Sequence, residues 1–191
     1  QQAGPLAGAS LIYTDGFSLS LPPSFVRLSR GGVGRVEEVL LVAGDFRSTI
    51  RETGAATTIS VHRVSEFMDL LQGTLTNEQA GTASAALAKW RDSQSVATGC
   101  TSLVVPSSVT SREGMLGFEM LTPLACVPGA TGLPPPQLLR RTAVRALWSS
   151  GEIDGNNSRK QPLVLLAGAR QREWDEDGDL LIAAAESFCL Q

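Results

Sequence analysis

Strand-like segments follow one another along this chain, with only two helix-like segments among them. A parallel sheet needs a crossover of a dozen or more residues, usually helical, between each pair of strands. That alternation of strand and helix is missing here, so the strands must pair antiparallel. The fold class read from the sequence is therefore α+β, an antiparallel sheet packed by an inserted helix and a C-terminal helix. The clearest strand is TTISVHRV, residues 57–64, which sets Ile59, Val61 and Arg63 against Ser60, His62 and Val64. A period of two marks a strand with one buried face. GFSLSLP, residues 16–22, repeats it with Phe17, Leu19 and Leu21 against Ser18 and Ser20, until Pro22 and Pro23 stop it. FVRLS (25–29) is a weaker copy, and RVEEVLLVAGDF (35–46) is expected to pair with 57–64.

Further on, TSLVVPSS and GMLGFEML (114–121) form a hairpin across TSRE, RRTAVRALWSS (140–150) is a strand, and PLVLLAGA is the last strand. The first helix is TNEQAGTASAALAKWRDS, residues 76–93, in which Thr76 and Gln79 have the spacing of a capping box. Leu87 and Trp90 share one of its faces. The second helix is DEDGDLLIAAAESFCL. Its acids fall in the first turn, where the helix dipole favours negative charge, and Gly178 sets its regular part from Asp179 onward. Leu180, Leu181, Ala184 and Phe188 are expected to face the sheet, with Trp174 covering the exit from the last strand as core.

With 191 residues the chain has room for one domain of ordinary size. Residues 1–13, small and weakly apolar, read as an N-terminal tail and 14–191 as the domain. A net charge of −3 excludes the basic footprint of a nucleic-acid binder. No apolar run approaches the roughly 18–20 residues of a membrane helix. Gln1, with no Met before it, reads as the start of a processed chain. Cys100, Cys126 and Cys189 are spaced too widely for the paired cysteines of a zinc site; one disulfide with one free thiol, or three thiols, fits the count.

Catalytic chemistry finds little purchase. His62 is the only histidine and lies in a strand, and no GxSxG occurs. GGVGR (31–35) lacks the spacing of a phosphate-binding loop. Asp175, Glu176, Asp177 and Asp179 resemble part of a calcium loop, but apolar helix separates them from Glu186 and the plain reading is a charged helix start. No catalytic, cofactor or metal residue is assigned, and the expectation is a protein that is not an enzyme. The arginines are more suggestive. Arg140, Arg141 and Arg145 cluster on one segment, Arg170 and Arg172 on the next. They read either as solvated strand ends or as one basic docking surface for acidic loops of a partner. As exposed charges, Arg140 and Arg141 should be reversible to Glu with the fold almost intact.

Several segments, taken in order, resemble the PsbP family of thylakoid lumen proteins. DGFSLSLPPSF is similar to the family's opening strand, with Phe25 where the family usually has Trp. AVRALWSSGEI resembles its penultimate strand and turn, LVLLAGARQREW its last strand running into a basic residue and Trp, and LLIAAAESFCL its last helix. The resemblance spans about residues 14–190. Lysine is scarce and the segments 128–136 and 151–161 are unusual for the family. The resemblance implies an antiparallel sheet between helices and a non-enzymatic extrinsic subunit or assembly factor of a photosynthetic membrane complex. It implies a place in the chloroplast thylakoid lumen, peripheral to the membrane, with photosystem II as the first partner and calcium and chloride retention on its oxygen-evolving side as the role. A subunit of the NAD(P)H dehydrogenase-like complex or a photosystem I factor is the alternative of the same class; a lumenal hydrolase or ligand-binding protein is the alternative of another.

Overall fold

The computed structural model describes residues 8–14, 16–28, 39–46, 56–94, 100–125, 133–149 and 161–191. Among them the order is β1 (Ser10–Thr14), β2 (Phe17–Leu21), β3 (Val26–Arg27), β4 (Val39–Asp45), β5 (Thr57–Arg63), α1 (Asn77–Ser93), β6 (Leu103–Val104), β7 (Thr110–Arg112), β8 (Met115–Pro123), β9 (Leu139–Leu147), β10 (Leu163–Arg170), α2 (Gln171–Glu186) and β11 (Cys189–Leu190). A large sheet runs β3-β4-β5-β10-β9-β8-β6, with β7 also on β8, and a small sheet runs β1-β2-β11. All the described pairings are antiparallel. This is the α+β class expected, in one domain.

Each face of the large sheet has its own core. Leu41, Ile59, Val61, Leu165 and Ala167 pack with β2 and α2 on one side. Phe118, Met120, Val144, Ala146 and Val164 pack with α1 on the other. The inner strands are thus buried twice over, which is why β10 reads as a continuous run of branched aliphatics and not as an alternation.

Both helices have legible causes. In α1 the capping box is complete: Gln79 N–H donates to Thr76 Oγ1 at 3.2 Å, and Thr76 N–H donates to Gln79 Oε1 at 2.8 Å. Leu87 and Trp90 are both buried on its inner face. In α2 the buried stripe is Trp174, Gly178, Leu181, Ala184 and Ala185, a helical spacing aimed at the sheet.

Several expectations are corrected. The boundary at residue 14 falls inside β1, because Ser10–Thr14 pairs with Phe17–Leu21. β2 is buried on both faces: it is the middle strand of its sheet, and the C-terminal segment covers Ser18 and Ser20. Residues 110–112, expected as part of a turn, form β7. Helix α2 begins at Gln171 and runs through Gly178 without a break, leaving only Glu173 among its acids in the first turn. Leu180 points outward and is 40 % exposed. A further strand, β11, follows the helix. The glycine-rich segment 31–35 and the polar connection 151–160 lie outside the described residues.

Candidate functional site

β9 and β10 are neighbours, with Arg140 opposite Arg170 and Arg141 opposite Ala169. Yet the five arginines do not form one surface. Side chains alternate along a strand. Ala143 and Leu147 of β9 join the core under α2, while Val144 and Ala146 join the core under α1. Arg141 and Arg145 therefore fall on the α2 face, and Arg140 and Arg170 on the α1 face.

Arg140 is a structural clamp. Its guanidinium crosses β10 to reach β5, donating to Ala56 O, Thr58 Oγ1 and Gly168 O, each at 2.7 Å. Burial pushes it down to about 10, with Arg91 adding to the fall and Glu173 opposing it, so it stays charged at neutral pH. The crossing needs bare backbone: a Cβ on Gly168 would stand 2.5 Å from Thr142 Oγ1 and 3.1 Å from Arg140 Nε. Arg140 is engaged inward, and the expectation that it can be reversed to Glu without effect on the fold is corrected.

The other four differ from one another. Arg141 donates through Nε and Nη2 to Glu119 Oε2, both at 2.6 Å, and its guanidinium lies 5.4 Å from the Trp174 ring. Arg170 pairs with Glu173 within the first turn of α2. Arg172 is exposed. Arg145 is partly buried, and its only hydrogen bond among the described residues runs from Nη1 to Met115 Sδ at 3.2 Å. Sequence reading missed Arg112, which lies on β7 close enough to depress the Arg145 guanidinium further. The signal was weak, because TSRE read as a turn.

His62 lies in a half-buried corner. Its Nε2 is 2.9 Å from Ser60 Oγ, and the Trp90 ring stands edge-on at 5.4 Å. Burial pushes the imidazole down to about 4. The unfolded chain, with an ordinary value near 6.5, binds more protons than the folded one between those limits. Stability from this group is fully present above about 6.5, is lost as pH falls toward about 4, and is flat below. The span is worth about 3 kcal/mol. His62→Asn should flatten that part of the profile, as read from urea midpoints between pH 4 and 7; an identical slope in parent and variant would exclude His62 as its source.

An open groove of about 450 Å³ lies between the start of α1 and the β6–β7 region, lined by Asn77, Gly81, Val104 and Val109 among others. Neither His62 nor any of the five arginines lines it. Among the described residues no cluster of His, Cys, Asp and Glu could hold a metal. Asp175 is occupied by Gln171, whose Nε2 donates to it at 2.7 Å. Cys100 is disulfide-bonded and Cys189 is a free thiol. No helix among the described residues is long and apolar enough to cross a membrane.

No family model matches the chain, and no curated protein matches it. Its fold is similar to the solution structure of cyanobacterial PsbP (CyanoP) from Synechocystis sp. PCC 6803, with a TM-score of 0.53 and 15% identity, covering 96% of this chain and 94% of that one. The fold is thus PsbP-like along almost its whole length, as the motifs in DGFSLSLPPSF and LVLLAGARQREW lead one to expect.

Proposed function

We propose that this protein is a non-enzymatic, peripheral subunit or assembly factor of a photosynthetic membrane complex, held on the lumenal face of the thylakoid, with photosystem II as the favoured partner. The observation that carries this reading is the end-to-end likeness to a cyanobacterial PsbP structure. The ordered sequence motifs support it independently. The domain on this reading starts ahead of Ser10, with the tail confined to the residues before it. Docking is by charge, through the outward arginines Arg145 and Arg172 with Arg112; Arg140 belongs to the fold. Exposed ion pairs weaken as the Debye length falls to roughly 3 Å at 1 M salt. Washing opened thylakoids with concentrated salt should therefore release the chain, and a native gel of untreated membranes should show which complex carried it. A chain that resists salt and leaves only with detergent would refute charge docking. Migration with the NAD(P)H dehydrogenase-like complex or photosystem I would replace photosystem II as the partner.

A further inference from the structure

Arg145 stands apart from the other arginines of β9 and β10. Arg140, Arg141 and Arg170 each have oxygen acceptors. Arg145 has only a thioether sulfur, and its Nε–H is buried with no acceptor at all. Among the described residues no carboxylate pairs with it. The neighbouring groups act at a distance, Glu186 and Cys189 favourably and Arg112 unfavourably. A partly desolvated cation without a counter-ion is unfavourable, and a thioether is a poor acceptor for it.

The Arg145 side chain is only partly buried. On β8, Gly117 sits opposite Arg145 and opposite Thr110 of β7. Gly117 is buried, and a Cβ there would stand 2.9 Å from Thr110 Oγ1 and 3.9 Å from Arg145 Nη2, so the guanidinium lies over this glycine beside the Thr110 side chain. Met115 is opposite both Leu147 and Arg112. Two arginines, one partly buried and one exposed, thus lie on the same face of the sheet around Met115 and Gly117.

We infer that Arg145 and Arg112 form a carboxylate socket, filled in the assembled state by acidic side chains of a protein partner. This deepens the docking reading above and rests on it. A planar guanidinium fork matches a carboxylate two-pronged, and the gain is greatest where water is already excluded. A protein segment is favoured over an anionic lipid surface because lipid binding uses clusters of about four to eight basic residues. This patch has two, and the chain is acidic overall.

The test has two arms. In the first, the Arg145 Nε–H resonance, identified by its loss in Arg145→Met, is followed by NMR as hexaglutamate peptide is added to the full chain. It should shift and saturate, and the shift should weaken about threefold in Arg112→Gln; phosphatidylglycerol vesicles should leave it unmoved. In the second arm, parent and variants are rebound to salt-washed thylakoid membranes. Arg145→Met should melt at the same or a higher temperature, because an unpaired charge has gone, yet rebind about tenfold more weakly. Arg145→Lys keeps the charge without the fork and should fall between.

A resonance that ignores the peptide overturns the socket, whatever the membranes do. So does Arg145→Met that folds and rebinds like the parent, or that melts well below it, since the arginine would then be structural. A response to vesicles in place of peptide replaces the protein partner with lipid and overturns the inference as stated. A peptide response in a parent that never rebinds membranes would uphold the socket and refute the docking reading on which the partner's identity depends.

Discussion

Replacing Arg140 by Glu is expected to cost at least about 4 kcal/mol, a large share of the stability of an ordinary domain. Each hydrogen bond to a charged group is worth about 1.5–3 kcal/mol, and breaking a buried charged contact typically costs about 3–5 kcal/mol. Arg140 makes three such bonds across β5 and β10. A carboxylate in its place would face two carbonyl oxygens, Ala56 O and Gly168 O, that it can only repel. Arg141→Glu is the internal control. Its ion pair is with the partly buried Glu119, and the loss should be about 1–2 kcal/mol, between a surface pair and a single hydrogen bond to a charged group. Urea unfolding of the two variants side by side decides the matter. If Arg140→Glu unfolds within 1 kcal/mol of the parent, the clamp is not a feature of the native state.

Trp174→Ala should cost about 3–5 kcal/mol, the range for removing a large buried aromatic. Its neighbour Gly178 supplies a sharper measurement. A Cβ on Gly178 would stand 2.8 Å from Trp174 Nε1 and 3.0 Å from its Cδ1, so the indole lies flat against the helix backbone one turn on. In the parent, Gly178→Ala should destabilise by about 1–3 kcal/mol through overpacking. In the Trp174→Ala background the same change should stabilise by up to about 1 kcal/mol, the helix preference of Ala over Gly. The sign should reverse. A Gly178→Ala effect that is the same in both backgrounds would mean that the two residues do not touch.

What could be read from the sequence was whatever has a local cause. Thr76 and Gln79 announce a capping box because both partners lie within one turn. Ile59 and Val61 announce β5 because alternation is a property of neighbouring residues. β11 was unreadable, since Cys189 and Leu190 form a strand only because β2 is there to receive them. β7 was hidden for the same reason, being three residues that lean on β8. The arginines are a different case. Arg140 and Arg141 are adjacent in a strand, and adjacent strand residues point to opposite faces. A single surface holding both was therefore already excluded by the strand assignment. The inward use of Arg140 was not readable, because its acceptors come from Ala56, Thr58 and Gly168, positions far away in sequence.

Because β1 and β11 both flank β2, segments far apart in the chain share one small sheet. Ser20 N–H donates to Ser187 Oγ at 2.9 Å across 167 positions, and the Gln191 side chain donates to Ser18 Oγ at 2.9 Å across 173. Phe17 and Phe188 meet edge to face at 5.5 Å. β1 and β2 must wait for the segment after α2 before their small sheet can close. Long-range pairing of this kind slows folding and makes it all-or-none. A chain cut just before Ser187 would lose the clasp and leave β2 half-covered.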